Sequence, residues 1–175
     1  MSTFEGDHRR SVARRMVVLA EDYLADEALL SRSAGSSGSG AAMLGLIGFE
    51  IFLKAIAVLE TGIRPHNHDF SRIWNGLPMS VREKLLTDAK SRHTVHADFR
   101  DPERLFAALK KAFETGRYFY EVNDNLTDAE AKKAGDDWVS GGGASETADI
   151  AYYPLERAAL IWAFRRYWQA QKPLN

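Results

Sequence analysis

Apolar residues recur along this chain at helical intervals. Val12, Met16, Leu19, Tyr23 and Leu30 are spaced by three, four or seven positions and predict one apolar face of a helix over about Arg9 to Ser31, with Arg14, Asp22 and Glu27 opposite. Residues 33 to 40 follow, four serines and three glycines with one alanine, and read as a flexible connector with nothing to bury. Ala42, Met43, Leu46, Ile47, Phe49, Ile51, Phe52, Leu53, Ile56, Val58 and Leu59 then make a helix that is apolar almost all round, the pattern of a central buried element, stopped by Gly62 as its C-terminal cap.

A loop over residues 63 to 69 leads into short helical pieces at Phe70 to Gly76 and Ser80 to about Lys90, the second opened by a Ser80/Glu83 capping box. Asp101 and Pro102 supply the N-cap and first-turn proline of another helix. Phe106, Leu109, Phe113, Gly116 and Tyr120 carry its stripe to about Glu121. Residues 123 to 149 hold seven acids against two lysines and four glycines, and predict an acidic excursion with at most a short helix after the Thr127/Glu130 box. A last helix spans about Ile150 to Gln169, with Leu155, Ala158, Trp162, Arg165, Tyr167 and Trp168 mixing apolar and cationic positions. No segment alternates with the period of a strand, so the expected fold class is all-α. Residues 1 to 175 are expected to form a single-domain up-and-down bundle of four main helices, with short extra helices on the crossovers.

Charge narrows the function classes. Lys plus Arg number 23 and Asp plus Glu 24, so a net charge of −1 leaves no global field for nucleic acid or an anionic membrane, and any such binding is local. Without cysteine there are no disulfides, thiolate nucleophiles or Cys-ligated metals. Met1 to Asp7 lack the basic and apolar regions of a signal peptide, and no uncharged apolar run reaches membrane-spanning length, so a cytoplasmic protein with no membrane partner is expected.

Four features bear on chemistry. Arg9, Arg10, Arg14 and Arg15 crowd the start of the first helix, against its dipole; a solvated face is the commoner use of such a cluster, a phosphate-facing patch the rarer one. Gly35 and Gly40 have phosphate-loop spacing, but Ala41 and Ala42 stand where that motif needs Lys and Ser or Thr. The pairs His66/His68 and His93/His96, with Asp69 and Asp98 nearby, lie in loops or frayed ends, so no metal or other cofactor is expected. Glu50 and Lys54, one turn apart in the most apolar helix, each need a partner or a solvent-filled cleft. With His68, Asp69, Arg117, Tyr118, Tyr120 and Glu121 they make three polar clusters whose convergence would give either a register-fixing network or a ligand site.

Gly48-Phe49-Glu50-Ile51-Phe52-Leu53-Lys54-Ala55, then Thr61-Gly62 and Pro65, His68-Asp69-Phe70, and Gly116-Arg117-Tyr118-Phe119-Tyr120-Glu121 resemble, in order and spacing, the bacterial branch of the HEPN superfamily over roughly residues 41 to 121. The resemblance implies a helical bundle, frequently dimeric, in a superfamily associated with RNA cleavage, toxin–antitoxin systems, phage defence and nucleotide-associated roles. The superfamily's ribonucleases place an arginine and a histidine late in the bundle with four to six residues between them, and no pair here has that order and spacing. Arg64/His68 and Arg92/His96 come nearest, with three residues between.

The leading expectation is therefore a HEPN-like protein that departs from the nuclease pattern and binds RNA, a nucleotide or an antitoxin-like protein partner, as a homodimer. Its cleft is lined by Glu50, Lys54, His68, Asp69, Arg117, Tyr120 and Glu121. One alternative is a metal-independent ribonuclease with Arg117 as phosphate clamp and His68 as general base. The other is an interaction module without a cleft ligand, in which the acidic stretch 123 to 149 (net −5) complements residues 150 to 175 (net +3) across subunits.

Overall fold

The computed structural model describes residues 2–32, 39–92, 99, 101–116, 125–140 and 153–171. These fold into seven helices with no strand among them: α1 (Ser2–Ser31), α2 (Ser39–Thr61), α3 (Phe70–Asn75), α4 (Met79–Arg92), α5 (Pro102–Gly116), α6 (Asp128–Ser140) and α7 (Pro154–Ala170). The all-α class expected from periodicity is what forms. Ser39 and Gly40, assigned above to the connector, are the first turn of α2, and residues 33–38 lie outside the described residues.

α2 is central because it is apolar on every side. It packs against α1, α3, α5 and α7, while α4 packs on α7. Phe49, Phe52, Leu53 and Ala55 are fully buried, and the Phe49 ring meets Phe164 at 5.4 Å, Phe70 at 5.7 Å and Phe106 at 6.0 Å. One side chain of α2 thus touches three other helices through aromatic pairs, each adding something beyond the area it buries. The segment Gly40–Thr61 is also long and apolar enough to cross a membrane, charged residues included, but most of it is buried inside this fold. α4, at 14 residues, matches α5, at 15, and shares its packing with α7, so it is more than a crossover ornament.

α1 lies antiparallel along α2, and its buried line is Ala13, Val17, Ala20 and Leu24, one register away from the expected stripe. Val12 and Met16 only flank the core, and Leu19 and Leu30 are exposed. Close approach selects the small residues: a Cβ on Gly48 would stand 3.0 Å from the Ala20 carbonyl. At the far end Gly62 takes φ +71°, a left-handed cap whose amide donates to the Val58 carbonyl at 2.9 Å. The Arg9 guanidinium packs on that glycine, at the negative end of the α2 dipole, so Arg9 does not belong to a purely solvated cluster.

Three side-chain links tie α7 to this hairpin. Arg157, 4% exposed, pairs with Glu27, and Arg165 pairs with Glu21. Tyr167 donates to the Glu60 carboxylate at 2.8 Å, and burial together with that bond pushes its phenol well above the ordinary tyrosine range. Glu27, placed by periodicity on the outer face, therefore turns inward because α7 supplies a buried cation. The Ser80/Glu83 box does not form, since α4 starts at Met79 and the Pro78 carbonyl takes the amides of Val81 and Arg82. The Asp101 cap does form (Arg104 N to Oδ1, 3.0 Å), as does the Thr127/Glu130 box (Thr127 N to Oε2, 2.8 Å), whose helix runs on for 13 residues.

The Glu27–Arg157 pair exists because position 45 has no side chain: a Cβ there would sit 1.9 Å from Arg157 Nη1 and 2.4 Å from the Glu27 carboxylate. Gly45→Ala is expected to split the buried pair and cost about 2 to 4 kcal/mol. Gly135→Ala, which adds a methyl to open space on α6, is expected to cost nothing. Thermal unfolding of both variants checks the contrast.

Candidate functional site

The buried Glu50 carboxylate, 5% exposed, organises the site from the middle of α2. Helix register puts Lys54 one turn on, and its Nζ stands 2.6 Å from Glu50 Oε1. The second partner arrives from outside the helix. After the Gly62 turn, the segment 63–69 returns along α2 so that His68 Nδ1 lies 2.9 Å from Oε1 and 3.0 Å from Oε2. Its ring stacks on Phe113 of α5, at 5.7 Å between centroids.

The next residue starts α3. Asp69 accepts the Arg72 amide at 3.0 Å as N-cap, and its other oxygen lies 3.3 Å from Lys110 Nζ of α5. The Arg72 amide, with Lys110 adding to it, holds the Asp69 carboxyl below its ordinary range. The Asp69 amide donates to Asn67 Oδ1 at 3.1 Å, closing a turn over residues 67–69 with His68 in its middle. Glu50, Lys54, His68 and Asp69 are thus brought onto one side of the junction of α2, α3 and α5. Arg117, Tyr118, Tyr120 and Glu121 lie outside the described residues, as do His93, His96 and Asp98.

Lys110 is the member that sequence reasoning missed. It follows Leu109 on the stripe that also carries Phe106 and Phe113, so its place at the edge of the buried face was available from spacing. The pair His66/His68 divides its work: His68 is held by Glu50, while His66 lines an open groove of about 580 Å3 with Arg64 and Arg72. Among the described residues no three His, Asp or Glu side chains converge as metal ligands.

What this arrangement can do follows from hydrogen-bond polarity. A carboxylate only accepts, so Nδ1 carries the proton, and neutral His68 then bears its lone pair on Nε2. His68 is the exposed member of the cluster, with 55% of its side chain open against 7% for Glu50. The result is an imidazole oriented from behind by a buried carboxylate and open in front, the geometry of a positioned base or of a hydrogen-bonding contact. No family model, no curated protein and no solved structure matches this chain.

Lys54, with 12% of its side chain exposed, is too deep for solvent to replace it. Lys54→Met is expected to lower stability by about 2 to 3 kcal/mol, less than for a wholly unpaired carboxylate because His68 remains. A double-mutant cycle with Glu50→Gln reads the coupling in thermal unfolding, and a value near zero would show the pair to be non-interacting. For Asp69 the folded value lies below the unfolded one. Its contribution is therefore present above about pH 4 and lost as pH falls through the folded value. Asp69→Ala should cost about 1 kcal/mol at pH 7 and less than that near pH 3, followed by denaturant midpoints at the two pH values.

Proposed function

We propose that the chain is a HEPN-like protein that binds RNA at the junction of α2, α3 and α5, with His68 as the contact that Glu50 presents. The single observation carrying this reading is the dyad itself: Nδ1 of a half-open histidine on a buried glutamate, flanked by Lys54 and by the Asp69–Lys110 pair. Of the residues that carry the resemblance, Glu50, Lys54, His68 and Asp69 gather there, which supports placing the site at this junction. The reading includes an up-and-down arrangement of α1, α2, α5 and α7 as the main bundle. It also includes a cytoplasmic setting and a role in stress, toxin–antitoxin or phage-defence systems, with an antitoxin-like protein as physiological partner. Fluorescence anisotropy of a labelled single-stranded RNA tests it. His68→Ala is expected to weaken binding about tenfold, a loss of roughly 1.4 kcal/mol, and binding equal to wild type would remove His68 from the interface.

A second reading has its own observation. An exposed imidazole held by a carboxylate is arranged to take a proton from a ribose 2′-hydroxyl, which makes a metal-independent ribonuclease with His68 as base and Arg117 as phosphate clamp the enzymatic alternative. Under it, His68→Ala lowers cleavage of labelled RNA by about 10²- to 10⁴-fold. Equal cleavage, or none from either protein, sinks it.

The homodimer belongs to the same proposal and is supported by the outer side of α1. That side runs from Arg10, Arg14 and Arg15 through Val18 and Leu19, 58% and 47% exposed, to Asp22 and Asp26. A basic half, an apolar middle and an acidic half match a second copy laid antiparallel, Arg15 facing Asp22 across a two-fold axis. Light scattering is expected to give a dimer that Val18→Lys with Leu19→Lys converts to monomer; wild-type monomer at both low and high salt would remove it.

A further inference from the structure

α6 takes no part in the packing that holds the fold. Among the described residues, the helix interfaces join α1 to α2, α2 to α3, α5 and α7, α3 to α5, and α4 to α7. Its sequence nevertheless commits to a helix, with the Thr127/Glu130 box at the start and Lys132 on Asp136 at 2.7 Å one turn further along. A helix of 13 residues is marginal in water on its own and takes most of its stability from a surface it lies on. The charge on α6 says which kind of surface. Asp128, Glu130, Asp136 and Asp137 outnumber Lys132 and Lys133, and all six are exposed. Asp137 has no partner among the described residues.

A face of the opposite charge lies where α4 packs on α7. Arg92 and Arg166 stand over the Trp162 ring, 5.8 and 5.5 Å from its centroid. Lys84 and Arg166 share the carboxylate of Asp88, at 3.4 and 3.6 Å, so with Arg92 three cations surround one acid. Trp162 is half-buried and packed on the core, whereas Arg92 is exposed and has no hydrogen bond or ion pair among the described residues. A guanidinium stacked on a ring keeps its N–H edge free for a carboxylate. Tryptophan and arginine are also the side chains that carry most of the energy at the centre of protein interfaces.

We infer that this face is an interaction surface for the acidic helix α6 of a second copy of the chain, with Asp136 and Asp137 on Arg92 and Arg166 around Trp162. A second copy is the occupant because the chain itself supplies a helix of matching charge, while α6 of the same chain is not packed there. In a two-fold dimer the exchange is reciprocal, each copy giving one α6 and receiving one. The inference rests on the homodimer of the preceding section and adds a contact separate from the outer side of α1.

The chain has no cysteine, so Ser140→Cys in α6 and Lys90→Cys in α4, both at exposed positions, each take a single dye. Full-length chains labelled at one position or the other are mixed, and energy transfer between them is followed alongside light scattering. Expected is transfer whose half-maximal concentration rises about tenfold when both chains carry Arg92→Glu, or both carry Asp137→Arg. Mixing an Arg92→Glu chain with an Asp137→Arg chain restores it, because each α6 then meets a face of opposite charge. Both positions are exposed, so circular dichroism of the variants should match wild type, and recovery on mixing shows the loss to be one of contact. Transfer unchanged in both variants, in a chain that light scattering shows to be a dimer, overturns the α6 seat and leaves the homodimer standing. Arg92-dependent transfer that survives Val18→Lys with Leu19→Lys keeps the seat and removes the α1 interface. Transfer within one doubly labelled chain, diluted to where mixed chains give none, places α6 on its own face and overturns the exchange. A monomer with no transfer overturns both.

Discussion

A carboxylate buried at the centre of the most apolar helix is the constraint from which the site follows. Glu50 stands next to Phe49, the residue whose ring touches α3, α5 and α7, so it cannot turn to solvent without taking that packing apart. Left unpaired, such a charge costs several kcal/mol, roughly. Helix register supplies Lys54, but one ammonium leaves the second oxygen unsatisfied. His68 meets it, and to do so the chain must leave α2 at a tight angle, return, and restart a helix at once. The positive φ of Gly62 provides the first step and the Asp69 cap the last. Phe70, directly after that cap, then packs on Phe49. The ion cluster and the aromatic core are therefore held by the same few residues.

Helix positions were legible in the sequence wherever periodicity and punctuation agreed. Gly62, the Asp101-Pro102 entry and the Thr127/Glu130 box each act locally, through a backbone conformation or a bond within four residues, and each forms as expected. Which side of a helix faces inward was less legible, because that depends on the partner. On α1 the large residues Met16, Leu19 and Leu30 suggested one stripe, yet Ala13 and Ala20 on the neighbouring line are buried at 0% exposure, and Gly48 stands opposite Ala20. Small residues carry little hydrophobic signal and much steric permission. Glu27 was misplaced for a related reason, since its partner Arg157 lies 130 positions away.

The candidate site divides along the same line. Glu50 and Lys54 were legible as an i, i+4 pair out of place in an apolar helix, and His68 and Asp69 as polar residues at the loop beyond it. That His68 bonds to Glu50 while Asp69 reaches Lys110 required the third dimension. Two neighbours in sequence serve two different partners, a carboxylate acceptor for His68 and a cation for Asp69, and no spacing rule separates them.

The two features at this end of the molecule are also held in different ways. His68 inherits its orientation: Glu50 fixes Nδ1 from the core and Phe113 fixes the ring plane, so the imidazole meets whatever approaches in a set geometry. Arg64 and Arg72 inherit only their position, with no side-chain bond to hold the guanidinium groups, and act through charge gathered on one wall. Long-range attraction tolerates flexible side chains, whereas a short-range hydrogen bond or proton transfer does not. The seven-residue return loop carries His68 and Arg64, and α3 adds Arg72, because one kind of group needs only to be near the surface and the other needs the core behind it.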